Sequence, residues 1–292
     1  MTIRHFKIFC TVCEEMNMTA AAKRLFITQP SVSQAIAELE DYYGVKLFER
    51  LSKKLYITNM GEKLLAYSYQ MLKFNEEIEV NMRKKIKPTL RLGSTVTIGT
   101  YVTPKYLRNY YKIHNELDII SIIENTHKIE NDLVLSKLDC AIVEGDIINS
   151  ELRVFPIKED EMVFICAKNS KLIQNIIGDN KEILLEDLIK IPFFIREEES
   201  GSYRQFSTLL EDKHLKYKVK GISNTIEGIV NAVAEDLGIG VVSKLVLDYD
   251  DRIEAIDVKD VCIKRQFKVV YHKDKHIGEE FKNFLEVLNV KR

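Results

Sequence analysis

The sequence lacks a long uninterrupted apolar run. No segment approaches the roughly 20 apolar residues that a membrane-spanning helix needs. The first 20 residues carry Arg4, His5, Lys7, Glu14 and Glu15, so they do not contain the apolar centre of a secretory signal peptide. We therefore expect a cytoplasmic protein with no membrane partner.

Cysteine is scarce. The five cysteines lie at positions 10, 13, 140, 166 and 262, and an odd number without a secretion signal favours reduced thiols. Cys10 and Cys13 form a CxxC pair, but no second pair follows at the spacing of a zinc site. Both share a helical pattern with apolar neighbours, so packing in a core is the favoured interpretation. A redox switch at Cys140 and Cys166 stays open as an alternative.

The common catalytic motifs are absent. The sequence contains no HExxH, P-loop or GxSxG pattern and no Ser-His-Asp order. The Gly-x-Gly at 238–240 precedes an apolar strand pattern, whereas the glycines of a dinucleotide fingerprint follow their strand. The six histidines are scattered without the spacing of metal ligands. We expect no enzyme, no metal and no cofactor.

The net charge is close to zero but unevenly distributed. Residues 1–87 hold 14 Lys and Arg against 10 Asp and Glu, a net charge of +4. Residues 88–292 hold 29 against 34, a net charge of −5. A basic N-terminal segment followed by an acidic remainder is typical of a nucleic-acid contact confined to the N-terminal segment.

Three helical patterns fill the first 44 residues. Apolar spacing predicts the first helix over 3–16 and the second over 17–26, with Thr19 as its N-cap. The third begins after the N-cap Thr28, has Pro30 in its first turn and ends at Gly44. Its inner stripe is apolar, while its first turns carry polar side chains that no core would need.

A basic hairpin and a long helix follow. Residues 45–58 predict a β-hairpin with Arg50, Lys53 and Lys54 near its turn. Residues 58–87 predict one helix with apolar side chains at 60, 64, 67, 71, 74 and 78, which is a heptad spacing. An isolated helix of this length is marginal in water, so we expect it to pair with its twin in a homodimer. Packing against the rest of the same chain is the alternative.

Pro88 marks a domain boundary, and strand and helix patterns alternate beyond it. This alternation predicts an α/β domain with mostly parallel sheet. We expect a helix over 99–112 and two separate strands over 152–157 and 162–167. The number of strands predicts two lobes, lobe I over about 89–161 and 268–292 and lobe II over about 162–267.

The head resembles that of the LysR-type transcriptional regulators. The segments that carry the resemblance are AAKRLFITQPSVSQAIAELEDYYGVKLFER and YITNMGEKLL. The matching residues are Ala21, Ala22, Leu25, Gln29, Pro30, Val32, Ser33, Ile36, Leu39, Glu40, Gly44, Leu47, Phe48, Arg50, Thr58 and Gly61. The later segments LRLGSTVTIGTYVTP, LDCAIVEG, REEESGSYRQF and EGIVNAVAEDLGIGVVS are similar to parts of that family's effector-binding domain.

The resemblance implies a winged helix-turn-helix domain over 1–58, a linker helix over 59–88 and a two-lobed effector-binding domain over 89–292, similar to periplasmic binding proteins. The third helix would then lie in the major groove of double-stranded DNA, and the hairpin wing would contact phosphates or the minor groove. Position 34 is often basic in the family, and Gln34 removes that charge. The predicted DNA-binding residues are Thr28, Gln29, Pro30, Ser31, Ser33, Gln34, Arg50, Lys53 and Lys54.

The same resemblance implies a ligand between the two lobes. The loop GSTVTIG offers hydroxyls beside free backbone N–H groups, which suits a small anion such as a carboxylate or sulfate. The predicted effector-binding residues are Ser94, Thr95, Thr97, Asn125, Thr126, Ser200, Ser202 and Thr225. For each of them, a role as a helix cap without any ligand stays open. Arg196 and Arg204 are expected to pair with Glu197, Glu198 and Glu199 rather than with a ligand.

The expected function is therefore a LysR-type regulator whose C-terminal domain senses a small anionic metabolite and alters promoter binding. Homodimers formed through residues 59–87, homotetramers built from them and contact with RNA polymerase are the partners that the family implies. A ligand-independent or redox-switched regulator of the same fold is one alternative. A solute-binding protein is another, which the DNA-binding pattern of the head opposes.

Overall fold

The computed structural model describes residues 1–51, 54–82, 88–114, 117–177 and 183–290 of the 292-residue chain. The chain divides into two compact units. One contains Met1–Pro88 with Val134–Lys137, and the other contains Thr89–Leu133 with Leu138–Arg292. The head and the long helix fall within one unit, and both lobes fall within the other. The predicted limits of the domains and lobes therefore stay a prediction.

The first unit begins with three helices, a hairpin and a long helix. These elements are α1 (Ile3–Glu15), α2 (Met18–Arg24), α3 (Gln29–Tyr43), β1 (Phe48–Leu51), β2 (Lys54–Ile57) and α4 (Asn59–Met82). The three short helices enclose a core in which Phe9, Val32 and Leu39 are fully buried. Because Val32, Ile36 and Leu39 follow helical spacing, they turn one side of α3 inward and leave its polar side outside.

The ends of the helices are set by local chemistry. The hydroxyl of Thr28 accepts from the backbone N–H of Ser31 at 3.3 Å, and Gly44 ends α3 with a φ of 66°. Both predictions are confirmed. The predicted cap of α2 is wrong, because Thr19 lies inside that helix. Asn17 caps it instead, accepting from the N–H groups of Thr19 and Ala20 at 2.8 and 3.0 Å.

The predicted hairpin is confirmed. Strands β1 and β2 pair antiparallel, with Phe48 opposite Ile57 and Leu51 opposite Lys54. Phe48 points into the core of the head, and it contacts Phe9 edge-on with ring centroids 5.5 Å apart. Lys53, at the predicted tip of the wing, lies outside the described residues.

Helix α4 has two unlike faces. Leu65 and Leu72 pack against the core of the head. The opposite face exposes Tyr67 by 67% and Phe74 by 56%. Of the other predicted seam positions, Met60, Met71 and Ile78 are exposed, whereas Leu64 is half-buried against the head. Residues 83–87 of the predicted helix lie outside the described residues.

The second unit alternates strands and helices, as predicted. Its elements are β3 (Thr89–Ser94), α5 (Val96–Tyr101), α6 (Thr103–Tyr111), β4 (Asp118–Ile123), α7 (Thr126–Val134), β5 (Cys140–Val143), β6 (Leu152–Ala167), α8 (Lys171–Ile177), α9 (Leu185–Leu188), β7 (Phe193–Arg196), α10 (Gly201–Asp212), β8 (Val219–Ser223), α11 (Ile226–Ala234), β9 (Ile239–Ser243), a 3₁₀ helix (Lys244–Asp248), β10 (Ile253–Ile256), β11 (Ile263–His272) and α12 (Glu279–Val287).

Two long antiparallel strands connect two groups of parallel strands. The strand order is β4-β3-β5-β11-β6-β9-β7-β8, and β10 pairs with β6. Strands β3, β4 and β5 are parallel to one another, as are β7, β8 and β9. Strands β6 and β11 run antiparallel between the two groups. The fold is therefore two α/β lobes that share a pair of crossing strands. The prediction of a mostly parallel sheet is wrong, because the antiparallel pairings of β6 and β11 make the sheet mixed.

Three predicted elements are wrong in their extent. The predicted helix over 99–112 is two helices, α5 and α6, because Pro104 cannot donate a helical hydrogen bond and starts a new helix instead. The two strands predicted over 152–157 and 162–167 are the single strand β6, which pairs with β11 through its charged middle. That charged stretch, Lys158–Glu161, interrupts the apolar pattern without interrupting the strand.

Each lobe has its own apolar core. The core of lobe I contains Leu92, Ile142 and Phe267, and α12 closes it with Phe284. The core of lobe II contains Phe164, Phe193 and Phe206, and a second cluster beneath α11 includes Ile229. Within β6 the change from one core to the other falls between Ile157 and Met162. The cleft between the lobes therefore lies beside the charged middle of β6.

Candidate functional site

The polar start of α3 is the candidate DNA-binding surface. We call it the recognition surface and define it as the side chains of residues 28–34 together with Arg50 and Lys54 on the hairpin. Thr28, Pro30 and Gln34 are exposed, and Gln29, Ser31 and Ser33 are half-buried. Arg50 and Lys54 are exposed on β1 and β2. Lys53 cannot be placed on this surface, since it lies outside the described residues.

Side chains of the recognition surface form hydrogen bonds with one another and with neighbouring side chains. The Gln29 amide donates to the Ser33 hydroxyl at 2.6 Å, and that hydroxyl donates to the Met18 sulfur at 3.3 Å. The Gln34 amide donates to Glu38 at 2.9 Å. Hydrogen bonds with DNA bases would have to replace these contacts. In the protein alone they limit the rotamers of both glutamines.

Glu38 brings a negative charge beside the recognition surface. Its other carboxylate oxygen lies 2.7 Å from Nε2 of His5. The hydrogen bond with His5, followed by the one from Gln34, lowers the pKa of Glu38 below its usual range. Glu38 is therefore ionised at neutral pH and orients Gln34 through a charged acceptor.

The sequence did not predict the exposed position of Phe26. It lies in the turn between α2 and α3, with a φ of 55° and a side chain that is 96% exposed. A left-handed backbone is costly for a bulky L-residue, and the exposed ring gains nothing from the core. Its place between the apolar residues Leu25 and Ile27 hid it, because the three together look like a buried run.

In the second unit, the cleft between the lobes is filled by a buried polar network. Glu144 follows β5 in lobe I, and its side chain is 3% exposed. The Thr95 hydroxyl donates to Glu144 Oε2, and the Thr97 hydroxyl donates to Oε1 at 3.4 Å. The hydroxyls that were predicted to hold an anion thus hold a carboxylate of this chain.

Arg265 on β11 joins that network to lobe II. Its side chain is fully buried, and Nη1 lies 3.7 Å from Glu144 Oε1. The same guanidinium donates from Nε to Asp160 Oδ2 at 2.6 Å and from Nη1 to the Ser202 hydroxyl at 2.9 Å. The other Asp160 oxygen accepts from Ser243 at 2.7 Å. One cation therefore faces two carboxylates in a site closed to solvent.

The structure brings together only some of the predicted effector-binding residues. Thr95, Thr97 and Ser202 belong to the network. Ser94 and Thr126 are buried, and within the described residues their hydroxyl oxygens have no hydrogen-bond partner.

The other three predicted residues cap helices. Asn125 accepts from the N–H of Lys128 at 2.8 Å, Ser200 from Ser202 at 3.2 Å and Thr225 from Gly228 at 3.1 Å. This is the alternative that the sequence left open for them. Arg196 pairs with Glu197 through two hydrogen bonds of 2.8 Å, as predicted.

Four residues of the network were not among the residues predicted from the sequence: Glu144, Asp160, Ser243 and Arg265. Glu144 does carry a recognisable pattern, since a charged residue directly after the buried strand AIV lies at the strand end that faces the cleft. Asp160 and Arg265 lie in strands among other charged residues, so nothing in the sequence separates them from solvent-facing neighbours.

The cysteines proposed for a redox switch lie in different cores. Cys140 is in the core of lobe I and Cys166 in that of lobe II. Burial raises the pKa of the Cys140 thiol, and burial followed by the charge of Glu254 raises that of Cys166 to about 12. Because the thiolate is the reactive form, neither residue is prepared for rapid oxidation.

No described helix combines the length and apolar character that crossing a bilayer requires.

Comparison with known proteins assigns both units. Residues 3–62 match the protein-family model described as "Bacterial regulatory helix-turn-helix protein, lysR family". Residues 83–291 match the family model described as "LysR substrate binding domain". The HTH-type transcriptional regulator CysL of Bacillus subtilis (strain 168) is 30% identical over 271 residues, which cover 91% of this chain and 89% of CysL.

Solved structures share the fold. Full-length CbnR in complex with its target DNA has a TM-score of 0.67 at 17% identity, covering 99% of each chain. The effector-binding domain of QuiR in complex with shikimate has a TM-score of 0.61 at 19% identity, covering 70% of this chain and 96% of QuiR. The predicted fold class is confirmed, and the chain belongs to the LysR family of DNA-binding transcriptional regulators.

Proposed function

We propose that this regulator senses a small anionic metabolite whose carboxylate binds in the cleft between the lobes. One observation carries the proposal: the hydroxyls of Thr95 and Thr97, with Arg265 beside them, already surround a carboxylate, that of Glu144. Groups that hold one carboxylate in a site closed to water suit a second one of the same shape. The structure of QuiR with shikimate, a hydroxylated carboxylic acid, supports this ligand class.

The ligand changes transcription through the geometry of paired heads. The exposed apolar side chains of α4, including Tyr67 and Phe74, pair with those of a second copy. Two such dimers form a tetramer, and the recognition surfaces then bind the half-sites of pseudo-palindromic DNA. Closing or opening the cleft alters the spacing of the heads and contact with RNA polymerase. The protein acts in the cytoplasm, without a cofactor and without a catalytic step.

Base readout falls to Gln29, Ser33 and Gln34, and phosphate contact to Arg50 and Lys54. A glutamine reads adenine through paired hydrogen bonds, and a serine contacts bases or phosphates. A lysine that neutralises a phosphate makes binding depend on salt.

The experiment measures DNA binding by the full-length protein against a panel of small carboxylates. Fluorescence anisotropy would follow a duplex selected from a random pool, at fixed ionic strength. We expect at least one carboxylate to shift the DNA dissociation constant severalfold, because allosteric coupling is typically about 5- to 150-fold. Thr95→Val should weaken that response, while the helix-cap variant Thr225→Ser should keep it. A flat response across the panel would favour the ligand-independent alternative.

A further inference from the structure

Two carboxylates face Arg265, and that of Glu144 interacts with the guanidinium more weakly than that of Asp160. Asp160 accepts directly from Arg265 Nε at 2.6 Å and is also bonded to Ser243. Glu144 lies 3.7 Å from Nη1, beyond hydrogen-bond distance. Asp160 is therefore the fixed partner of the guanidinium, and the carboxylate of Glu144 can be exchanged without breaking that pair.

Glu144 lies where the two lobes touch. Gly201, the first residue of α10 in lobe II, packs on Gly145 of lobe I so closely that a Cβ on Gly201 would lie 3.4 Å from the Gly145 Cα and 3.5 Å from the Glu144 Cγ. Arg265 holds Ser202, the next residue of α10. A carboxylate between Thr95 and Arg265 thus connects both lobes where their backbones meet.

The network, with Ser94 beside Thr95 and Thr126 against Gly145, also has bonding capacity that Glu144 does not use. Among the described residues, the Ser94 hydroxyl, the Thr126 hydroxyl and Nη2 of Arg265 are buried without a hydrogen-bond partner. An unmade hydrogen bond costs free energy when the group is shielded from water. The tethered carboxylate satisfies part of the site only, and a free ligand with further polar groups would satisfy more of it.

We propose that Glu144 is a built-in substitute for the carboxylate of the ligand. In the unliganded protein it occupies the carboxylate subsite and keeps the lobes closed, and an anionic ligand binds only by displacing it. This inference rests on the proposed function for the existence of that ligand. Glu144 then sets specificity, since simple monoanions cannot displace a tethered carboxylate and only a ligand that reaches the unused groups competes with it.

The test is rescue of a deletion by the deleted fragment. Glu144→Ala removes a CH₂–COO⁻ group, which free acetate replaces atom for atom. Thermal unfolding of the full-length variant would be followed against sodium acetate, with sodium chloride keeping ionic strength constant. We expect acetate to raise the unfolding midpoint of Glu144→Ala by several degrees, at concentrations at least tenfold below any effect on the wild type. Methylammonium chloride should have no such effect.

A double variant shows whether acetate binds at this place. In Glu144→Ala with Thr95→Ala, the hydroxyl that donates to the carboxylate is lost, so the rescue should disappear. Equal stabilisation of the single and double variants, or none of either, would overturn the proposal.

A second variant keeps the test decisive if Glu144→Ala does not fold. Glu144→Gln retains shape and removes the charge, so acetate competes with a neutral amide. The acetate concentration that gives half of the full stabilisation should be at least tenfold lower for this variant than for the wild type. Equal half-saturation concentrations would overturn the proposal.

The two proposals fail in different ways. Rescue by acetate, together with wild-type DNA binding that no carboxylate changes, refutes the proposed function, and Glu144 is then the permanent occupant of a carboxylate subsite rather than a substitute for a ligand. A DNA response to a carboxylate, without rescue of either variant, refutes the role of Glu144 alone.

Discussion

Arg265 and Asp160 form a buried ion pair, with Nε of the guanidinium 2.6 Å from the carboxylate and neither side chain more than 3% exposed. They lie on the two strands that cross between the lobes, directly opposite each other in the β6–β11 register. Charge in such a site costs free energy unless each group keeps its partner. The pair therefore fixes a buried cation in the cleft, beside the carboxylate of Glu144.

Removing this cation should destabilise the effector-binding domain severely. Arg265→Ala leaves Asp160 and Glu144 buried without their cation, which typically costs about 3–5 kcal/mol. Urea unfolding of the full-length protein would measure the loss. The matched control is Lys244→Ala, which breaks the exposed pair with Glu161 and should cost at most about 1 kcal/mol. Similar losses in the two variants would contradict burial of the network.

Phe26 offers a substitution that stabilises the head. Its φ of 55° is unfavourable for phenylalanine, whereas asparagine tolerates this conformation. Since the ring is exposed, Phe26→Asn should raise the free energy of unfolding of the head by about 1 kcal/mol. Leu51→Asn, an exposed residue on β1, is the control and should not stabilise. A loss of stability at position 26 would mean that the ring makes contacts in solution.

The thiols should differ sharply in reactivity. Cys262 is exposed and the other four cysteines are buried or half-buried. Burial, followed by the charge of Glu14, raises the pKa of Cys10 to about 12, and that of Cys166 is raised equally. At pH 8, a thiol reagent should modify Cys262 rapidly and the other four only after unfolding. Rapid modification of Cys140 or Cys166 in the native protein would revive the redox alternative.

The same pKa shifts make stability depend on alkaline pH. A thiol whose pKa is higher in the folded protein than in the unfolded chain stabilises the fold fully below the unfolded value, near 8.5. That contribution is lost as pH rises toward about 12. We expect the free energy of unfolding to fall over this range, with a smaller slope in Cys166→Ala. An unchanged slope would show that this thiol ionises normally when folded.

The exposed face of α4 should control assembly. Tyr67→Glu with Phe74→Glu places charge on the predicted seam and should convert dimers or tetramers to monomers in sedimentation experiments. Glu76→Gln, an exposed position of the same helix outside that seam, should leave assembly unchanged. A wild-type monomer, or a double variant that still assembles, would contradict pairing through α4.

Much of the head could be predicted because its determinants are local. Thr28 caps α3 and Gly44 ends it, and each acts within a few residues of its place in the sequence. The wrong cap of α2 is also a local matter, because Asn17 and Thr19 are both suitable and only the geometry of the turn decides between them.

The cleft could be predicted only in part, because its geometry depends on contacts between distant segments. Thr95 and Thr97 were recognisable as hydroxyls at a strand end. The sequence could not show that Glu144 takes the place expected for an anion, since that depends on how β5 meets β3 and β11. Arg265 was hidden for the same reason, because only its pairing with β6 turns it inward.

The most direct test of the account is the affinity of the recognition surface for DNA. A duplex would be selected from a random pool with the wild-type protein, and its dissociation constant measured by fluorescence anisotropy for the wild type and for Gln29→Ala with Ser33→Ala. Circular dichroism would establish that the double variant is folded. Since a good base contact contributes about 1–3 kcal/mol, we predict at least a tenfold loss of affinity and poorer discrimination against a scrambled duplex. Unchanged affinity would contradict the claim that this face of α3 reads DNA.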